Sequence, residues 1–539
     1  MPDIDYAELS VSNHHLFATS VEVSNRLAEL RREYSITRRI LTAVILSLLN
    51  IVNFFDRSIY GVVLPAIKES FQISNSQAGL IQTLYVVSII VAAPMAGVIG
   101  RRFSRKWAII VGSIAWCAAV ICGPLFCGDS FTLFCLIRAC AGIGESFLGT
   151  LAITIFADLF NEKYRPLVLN VFMGGILLGG SLAYLLGPLV SEHLADVWGL
   201  QGWVWVTSGT GVVGAVFLIP AVFIVPDVPM QSPAGGAKKK GSMAADLKYM
   251  FSCKSYIFTV IGYTCFSFTL GSKQYWDVTF ITYSSYVNSN INLDEVINII
   301  ALIVFVCGWL GSIGLGEFAR FFKNRGYADA QPVTTGIVGM FSGLTFLGYM
   351  RAINYSVPLS LTFFGLTSAT LCAYVATFQD LIMSTLPPQM RPLGAGMATL
   401  IGHLLGDGFA SLIIGAISDW YASGRDNTYE VQAESLITAF HVAQFISTIG
   451  GMFFIGVALT LRSDLKKCRR FVKRKGASAG TQPKEHTEGN SDELKVTGTQ
   501  RSSARSSDPF VPLDDNNSPR LYYNVEEGSG SSEQEHSNQ

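Results

Sequence analysis

Four charged side chains stand inside long uncharged runs, Asp56 and Arg57 in one and Arg138 and Glu145 in another. A charge held in hydrocarbon costs upward of ~2.5 kcal/mol, so each is expected to face a water-filled cavity or an opposite charge rather than lipid. Arg138 and Glu145 are seven residues apart, which on a helix is two turns and about 10 Å: one face, but too far to pair directly. Asp56 and Arg57 are the complements. Neighbours on a helix diverge by about 100°, so Asp56 can meet Arg138 while Arg57 turns toward the cavity or toward Glu145. A carboxylate whose arginine neighbour changes between two conformations can bind and release a proton. Glu145, expected at mid-membrane, is the principal candidate, with Asp56 and Arg138 coupled to it. The alternative is that the four charges only pin helices together.

Two further pairs repeat the theme at i, i+4 spacing. His403 and Asp407 are placed to hydrogen-bond or titrate together, as a second proton site, a headgroup contact or a structural pair. Lys273 and Asp277 read either as a self-neutralising pair near the outer surface or as an extension, through Lys273, of an anion-binding cavity shared with Arg57. Such a cavity suits a phosphate or carboxylate. No Walker sequence, nucleophile–base motif or Cys/His ligand spacing stands out. The chain is therefore expected to be neither an ATP-driven pump nor an enzyme, and to need no cofactor or metal.

The elements that carry these residues are membrane spans. Between Ile40 and Leu461, runs of roughly twenty mostly apolar residues alternate with short polar breaks about twelve times, each run long enough to cross ~30 Å of hydrocarbon as a helix. Hydrophobic residues make up 50% of the chain and charged residues 14%, well below the charge of an ordinary soluble domain. The spans predicted are 40–64, 77–100, 107–127, 131–157, 166–190, 203–225, 255–280, 295–316, 332–350, 357–383, 392–418 and 437–461. Alternate loops collect the basic residues: Arg101, Arg102, Arg105 and Lys106; Lys163 and Arg165; Lys238 to Lys240; Arg320, Lys323 and Arg325; Arg391. By the positive-inside rule both termini are cytoplasmic, which needs an even number of spans. The first span is expected to serve as its own targeting signal, because residues 1–39 are polar and contain five arginines. Net charge is zero but segregated, and nucleic acid is not an expected partner.

Two glycine-rich echoes, Gly97-Val98-Ile99-Gly100 and Gly311-Ser312-Ile313-Gly314, precede basic loops six spans apart. They divide the chain into a tail (1–39), a six-helix half (40–225), a linker (226–254) that reads as flexible, a second six-helix half (255–461) and a basic, then structureless, tail (462–539). Gly175-x-x-x-Gly179 and Gly394-x-Gly396 permit close helix approach or a kink. Most cysteines lie in apolar runs and read as small buried hydrophobes. The basic run Lys466 to Lys475 can rest on an anionic leaflet. Tyr522-Tyr523-Asn524-Val525 fits a tyrosine-based sorting pattern, so a late endosomal or lysosomal membrane is favoured, with the plasma membrane as the alternative.

An ordered set of local stretches resembles the Spinster-like family of the major facilitator superfamily. The set comprises Asn53-Phe54-Phe55-Asp56-Arg57, Gly61-Val62-Val63-Leu64-Pro65, Ala78-Gly79-Leu80-Ile81-Gln82-Thr83, Arg138-Ala139-Cys140-Ala141-Gly142-Ile143-Gly144-Glu145-Ser146, His403-Leu404-Leu405-Gly406-Asp407 and Ile414-Gly415-Ala416-Ile417-Ser418-Asp419. The resemblance implies an all-α fold of twelve helices in two halves and transport of a small molecule or lipid, a lysophospholipid or sphingolipid-like amphiphile, by alternating access, in a protein working as a monomer among membrane lipids. A sugar or organic-anion transporter and a non-transporting lipid sensor are the alternatives. It also implies that Asp56, Arg57, Arg138 and Glu145 serve proton-linked conformational change and substrate binding; Lys273 and His403 are added to the binding set from their positions. Where the superfamily has an acidic residue before Arg102, at the latch formed with Arg105, this chain has Arg101. Its seventh span, Gly271-Ser272-Lys273-Gln274-Tyr275-Trp276-Asp277, is also more polar than the family's.

Overall fold

The computed structural model describes residues 33–161, 163–195, 197–228, 243–327, 329–387 and 390–478. Among them run twelve long helices. The first six are α1 (Ile36–Val62), α2 (Asn75–Arg102), α3 (Arg105–Phe126), α4 (Phe131–Leu159), α5 (Arg165–His193) and α6 (Gly202–Ile224). The second six are α7 (Lys254–Val287), α8 (Leu293–Asn324), α9 (Ala330–Ala352), α10 (Val357–Thr385), α11 (Arg391–Ala422) and α12 (Tyr429–Ser478). Eleven are long and apolar enough to cross a bilayer. The remaining one, α7, carries buried Lys273 and Asp277 among many Ser, Thr and Tyr residues. It must nonetheless cross, because α6 delivers the chain to one face and α8 starts from the other.

Successive helices alternate direction, so the loop Arg101–Lys106 marks one face, here the basic face, and the segment between α1 and α2 marks the far face. Serines set several starting points. Ser35, Ser74, Ser104, Ser130 and Ser356 precede α1, α2, α3, α4 and α10, each hydroxyl accepting from the backbone N–H three residues on, which satisfies a donor the helix itself leaves unpaired. At α2 the Gln77 side chain returns to the Ser74 N–H, completing a capping box.

Several boundaries differ from expectation. The linker contains a helix, Met243–Phe251, and α12 continues well past 461 through the basic run. That extension is held by packing of the Phe471 ring against Tyr249, tilted by 41° with centroids 4.6 Å apart, and by Lys467 donating to the Ser252 carbonyl at 3.0 Å. The deformation in α11 falls at a π-helical turn, Gly402–Gly408, where Gly406 has ψ −112°, rather than at Gly394-x-Gly396. An extra residue in the turn displaces the following helix sideways. As expected, α5 lies on α1 through Gly175 and Gly179, where a Cβ would meet Asn50, Ile51 and Phe54 or Phe55. The ten cysteines are free, with Cys117, Cys135 and Cys372 buried and Cys140 exposed. The tail pattern at Tyr522–Val525 lies outside the described residues.

The two halves meet from mid-membrane to the far face. Helix α2 packs on α11 along Gly402–Ala422, α1 and the short helix Leu64–Phe71 pack on α7, and α5 packs on α8. Along Arg391–Ile401, at the basic face, α11 parts from α2. Among the described residues the ion pairs at that face, Arg105–Asp158, Arg320–Glu317, Lys323–Asp380 and Arg462–Asp329, each lie within one half. The cleft between the halves therefore opens toward the basic face.

Candidate functional site

Within the first half, α1 and α4 bring Asp56 and Arg138 together as the spacing predicts. Arg138 Nη1 donates to Asp56 Oδ2 at 2.6 Å, Nη2 donates to the Asp56 carbonyl at 3.3 Å, and Trp116 Nε1 on α3 donates to the same carboxylate at 3.2 Å. The guanidinium lies between the rings of Tyr60 and Tyr85, 3.8 and 3.7 Å from their centroids. Asp56 is 0% and Arg138 2% exposed. Charge-assisted bonds and two aromatic faces hold this pair, although Asp56 Oδ1 and Arg138 Nε are buried without a hydrogen-bond partner. Trp116, Tyr60 and Tyr85 were invisible to a search for charged residues; the only signal was an indole within a span near a buried acid.

Glu145 sits two turns toward the basic face from Arg138, buried at 7% exposure. The two do not join, as their separation requires, and Glu145 Oε2 has no hydrogen-bond partner. Arg57, for which Glu145 was one expected neighbour, instead pairs with Asp407 of the other half. Asp407 and His403 both lie in the π turn of α11, and His403 Nδ1 lies 2.9 Å from Asp407 Oδ1. One carboxylate thus bridges an arginine and a histidine. Its neighbourhood is polar, with Gln274 Nε2 donating to Ser58 Oγ at 2.8 Å. Arg57, Ser58, Gln82, Gly271, Gln274, Tyr275 and Asp407 line a small pocket.

Lys273 does not join that cavity. On α7 it points about 100° away from Gln274, into the second half, where its Nζ lies 3.0 Å from Asp277 Oδ2 and 3.1 Å from the Phe364 ring centroid. Tyr349 OH donates to Asp277 Oδ1 at 3.4 Å. Lys273 is 4% and Asp277 0% exposed, so the two form a buried, self-neutralising pair and not an extension of the Arg57 cavity. Spacing along the helix gave the pairing; the direction of the face depended on the rotation of α7, which no local pattern encodes.

The latch residues lie at the basic face, where the cleft between the halves is open. Arg105 is 1% exposed, donates to Asp158 at 2.6 Å and to the Val228 carbonyl at 3.0 Å, and so ties α3 to α4 and to the segment after α6 instead of joining the halves. Arg102 is exposed, and the Arg101 side chain lies outside the described residues.

The halves are joined at the far face by residues that the search for site residues missed. Asp419, at the end of α11, accepts from the backbone N–H groups of Asn75 at 2.9 Å and Ser76 at 2.7 Å, and from Ser76 Oγ at 2.5 Å. It therefore caps α2 from the opposite half. Asn75 Nδ2 donates to Ser418 Oγ at 2.9 Å. Lys68 bonds to Asn75 and donates to Tyr283 OH on α7 at 2.7 Å. Burial pushes the Lys68 ammonium down to about 8, with the Asp419 carboxylate working against that shift. Gly79 and Gly415 permit the approach, since a Cβ at either would collide with the facing backbone of Ser411 or Asn75.

Comparison with known proteins agrees with this architecture. The sequence model of the Major Facilitator Superfamily matches residues 46–411. Protein spinster homolog 1 of Xenopus laevis is 29% identical over 450 residues, covering 81% of this chain and 84% of that protein. The sphingosine-1-phosphate transporter SPNS2 of Xenopus tropicalis is 28% identical over 473 residues, covering 84% and 88%. A crystal structure of a bacterial homolog of the human lysosomal transporter Spinster, inward-facing and unoccupied, superposes with a TM-score of 0.69 at 17% identity, covering 80% of this chain and 99% of that one. A twelve-helix fold in two halves, the family match across most of the spans and relatives aligned over four-fifths of the chain together establish that this protein is a multi-pass membrane transporter of the Spinster-like family of the major facilitator superfamily.

Proposed function

We propose that the chain works by alternating access, linked to protons, and moves a single-chain amphiphile with an anionic head, a lysophospholipid or sphingolipid-like molecule. The observation that carries this reading is the Arg57–Asp407 pair, a cation and an anion from opposite halves meeting at mid-membrane in a cavity between them. A guanidinium there is suited to a phosphate or carboxylate, and binding at the midplane between two halves is what rocking requires. The pocket is small while the pair is closed, with room for about one water, so a headgroup would enter as Arg57 and Asp407 separate, and an acyl chain would lie outside the pocket. Glu145, buried with an unpartnered carboxyl oxygen, is the group best placed to take the coupling proton; His403 and Asp407 form the second site. The relative named a sphingosine-1-phosphate transporter supports the substrate class.

The basic face is cytoplasmic in this reading, and the protein acts as a monomer in a late endosomal or lysosomal membrane. Arg101 is the residue that sets the resting conformation, by weakening the latch at that face. The small polar lining of Ser58, Gln82 and Gln274 favours a second reading, a sugar or small organic anion. An untargeted comparison of lipids and polar metabolites in isolated lysosomes and medium, with and without the protein, separates the two. Accumulated lysolipids support the first; sugars or organic anions alone support the second.

A further inference from the structure

We infer that Asp407 is a built-in occupant of the anion site, holding Arg57 in the substrate-free protein and giving way to the anionic head of the substrate. This rests on the anionic-amphiphile reading above and identifies the residue that the substrate must displace.

Among the described residues two arginine–carboxylate pairs stand in the membrane, and they differ in the way exchange requires. In the Asp56–Arg138 pair both side chains are essentially unexposed and enclosed by Trp116, Tyr60 and Tyr85. In the Arg57–Asp407 pair the side chains remain 15% and 14% exposed and both line the cavity. The first is built to stay. The second can be entered from the cleft.

Taking one partner from a buried ion pair ordinarily leaves an uncompensated charge and costs several kcal/mol. Here neither partner is left alone. The incoming anion takes Arg57, and Asp407 keeps His403 on its other oxygen, at 2.9 Å. Asp407 is also held in place for this exchange: its Cα and Cβ lie directly against Gly271 of α7, where any side chain would collide with them, so it cannot follow Arg57 away from the α11 turn.

The exchange has a structural consequence. Arg57 belongs to the first half and Asp407 to the second, so an anion on Arg57 removes a mid-membrane tie between the halves while leaving the far-face contacts untouched. An uncharged amphiphile cannot substitute for the carboxylate and leaves the tie in place. Selection for an anionic head and release of the halves are thereby the same event.

An internal competitor lowers apparent affinity by the fraction of time it occupies the site. If the ion pair holds Arg57 nine-tenths of the time, Asp407→Asn should bind an anionic amphiphile about tenfold more tightly than the wild type. The experiment measures binding of dodecyl phosphate, with dodecanol as the uncharged control, to the full chain in neutral-lipid nanodiscs. Asp407→Ala gives the same comparison should the asparagine variant not fold. Tighter dodecyl phosphate binding with dodecanol unchanged supports the inference. Equal affinity in wild type and variant, or equal gains for both ligands, overturns it and leaves the anionic-substrate reading standing. Failure of dodecyl phosphate to bind either protein overturns that reading, and the inference with it.

Discussion

The two ends of the α2–α11 helix pair carry opposite chemistry. At the far face the last turn of α11 supplies Asp419 to the N-terminus of α2, where two backbone N–H groups and the Ser76 hydroxyl converge on it. At the basic face the arrangement is reversed: α2 ends and α11 begins at Arg391-Pro392, but the residues that end α2 are Arg101 and Arg102. A helix N-terminus attracts an anion and repels a cation, by about 0.3–1 kcal/mol at a wet site and up to ~2 kcal/mol where partly buried. One end is thus closed by a charge matched to its helix terminus, and the other bears charges of the wrong sign. The proposed latch rests on this contrast, in a structure whose cleft opens toward the basic face.

Removing the matched charge should have the largest effect. Asp419→Asn keeps the shape and loses the anion, and a loss of ~1–2 kcal/mol is a five- to thirtyfold shift toward opening of the far face. Spin labels placed on Leu64–Phe71 and at the end of α7 would report it as a longer distance; an unchanged distribution would mean the cap is incidental. Supplying the missing charge is the converse. Arg101→Asp should favour closure of the basic face by several-fold, for ~0.3–1 kcal/mol at a wet membrane face, seen as reduced accessibility of cysteines introduced along the cleft. No change, or wider opening, would sink the proposed latch.

Lys68 provides the smallest effect near neutral pH. In the closed far face its ammonium is pushed down to about 8, whereas in an open, hydrated state it returns toward the ordinary lysine value near ~10.4. Below about 8 both states are protonated, the closed state bears the full cost of burying the charge, and pH has no leverage. As pH rises past 8 the closed state releases its proton first, so closure strengthens until the open-state value is reached. Between pH 7 and about 8.5 the shift should be modest, and Lys68→Met should remove it. Opening of the far face on alkalinisation would contradict the sign.

The sequence revealed the spans more completely than the contacts between them. All twelve crossings were legible, eleven of them because apolar length is a local property, and five of their starting points coincide with serine caps. Three of the pairings, Asp56–Arg138, His403–Asp407 and Lys273–Asp277, were also legible, the last two because i, i+4 spacing on one helix nearly dictates contact. What escaped was everything that depends on how helices rotate and which half faces which. Arg57 finds Asp407 across 350 positions of chain, Lys273 turns away from the cavity, and Arg105 is spent inside one half. The Asp419 cap escaped for another reason: an aspartate at the end of a span reads as an ordinary boundary residue until the facing helix terminus is known.

The central claim is that a proton taken by Glu145 drives movement of an anionic amphiphile between the halves. It is tested most directly by uptake of a labelled lysophospholipid into proteoliposomes under an imposed pH gradient, comparing wild type with Glu145→Gln, alongside exchange at equal pH and the thermal unfolding midpoint of each protein. The account predicts that Glu145→Gln abolishes gradient-driven uptake while equal-pH exchange and the unfolding midpoint stay near wild type. Gradient-driven uptake with unaltered pH dependence in a folded Glu145→Gln variant would contradict it.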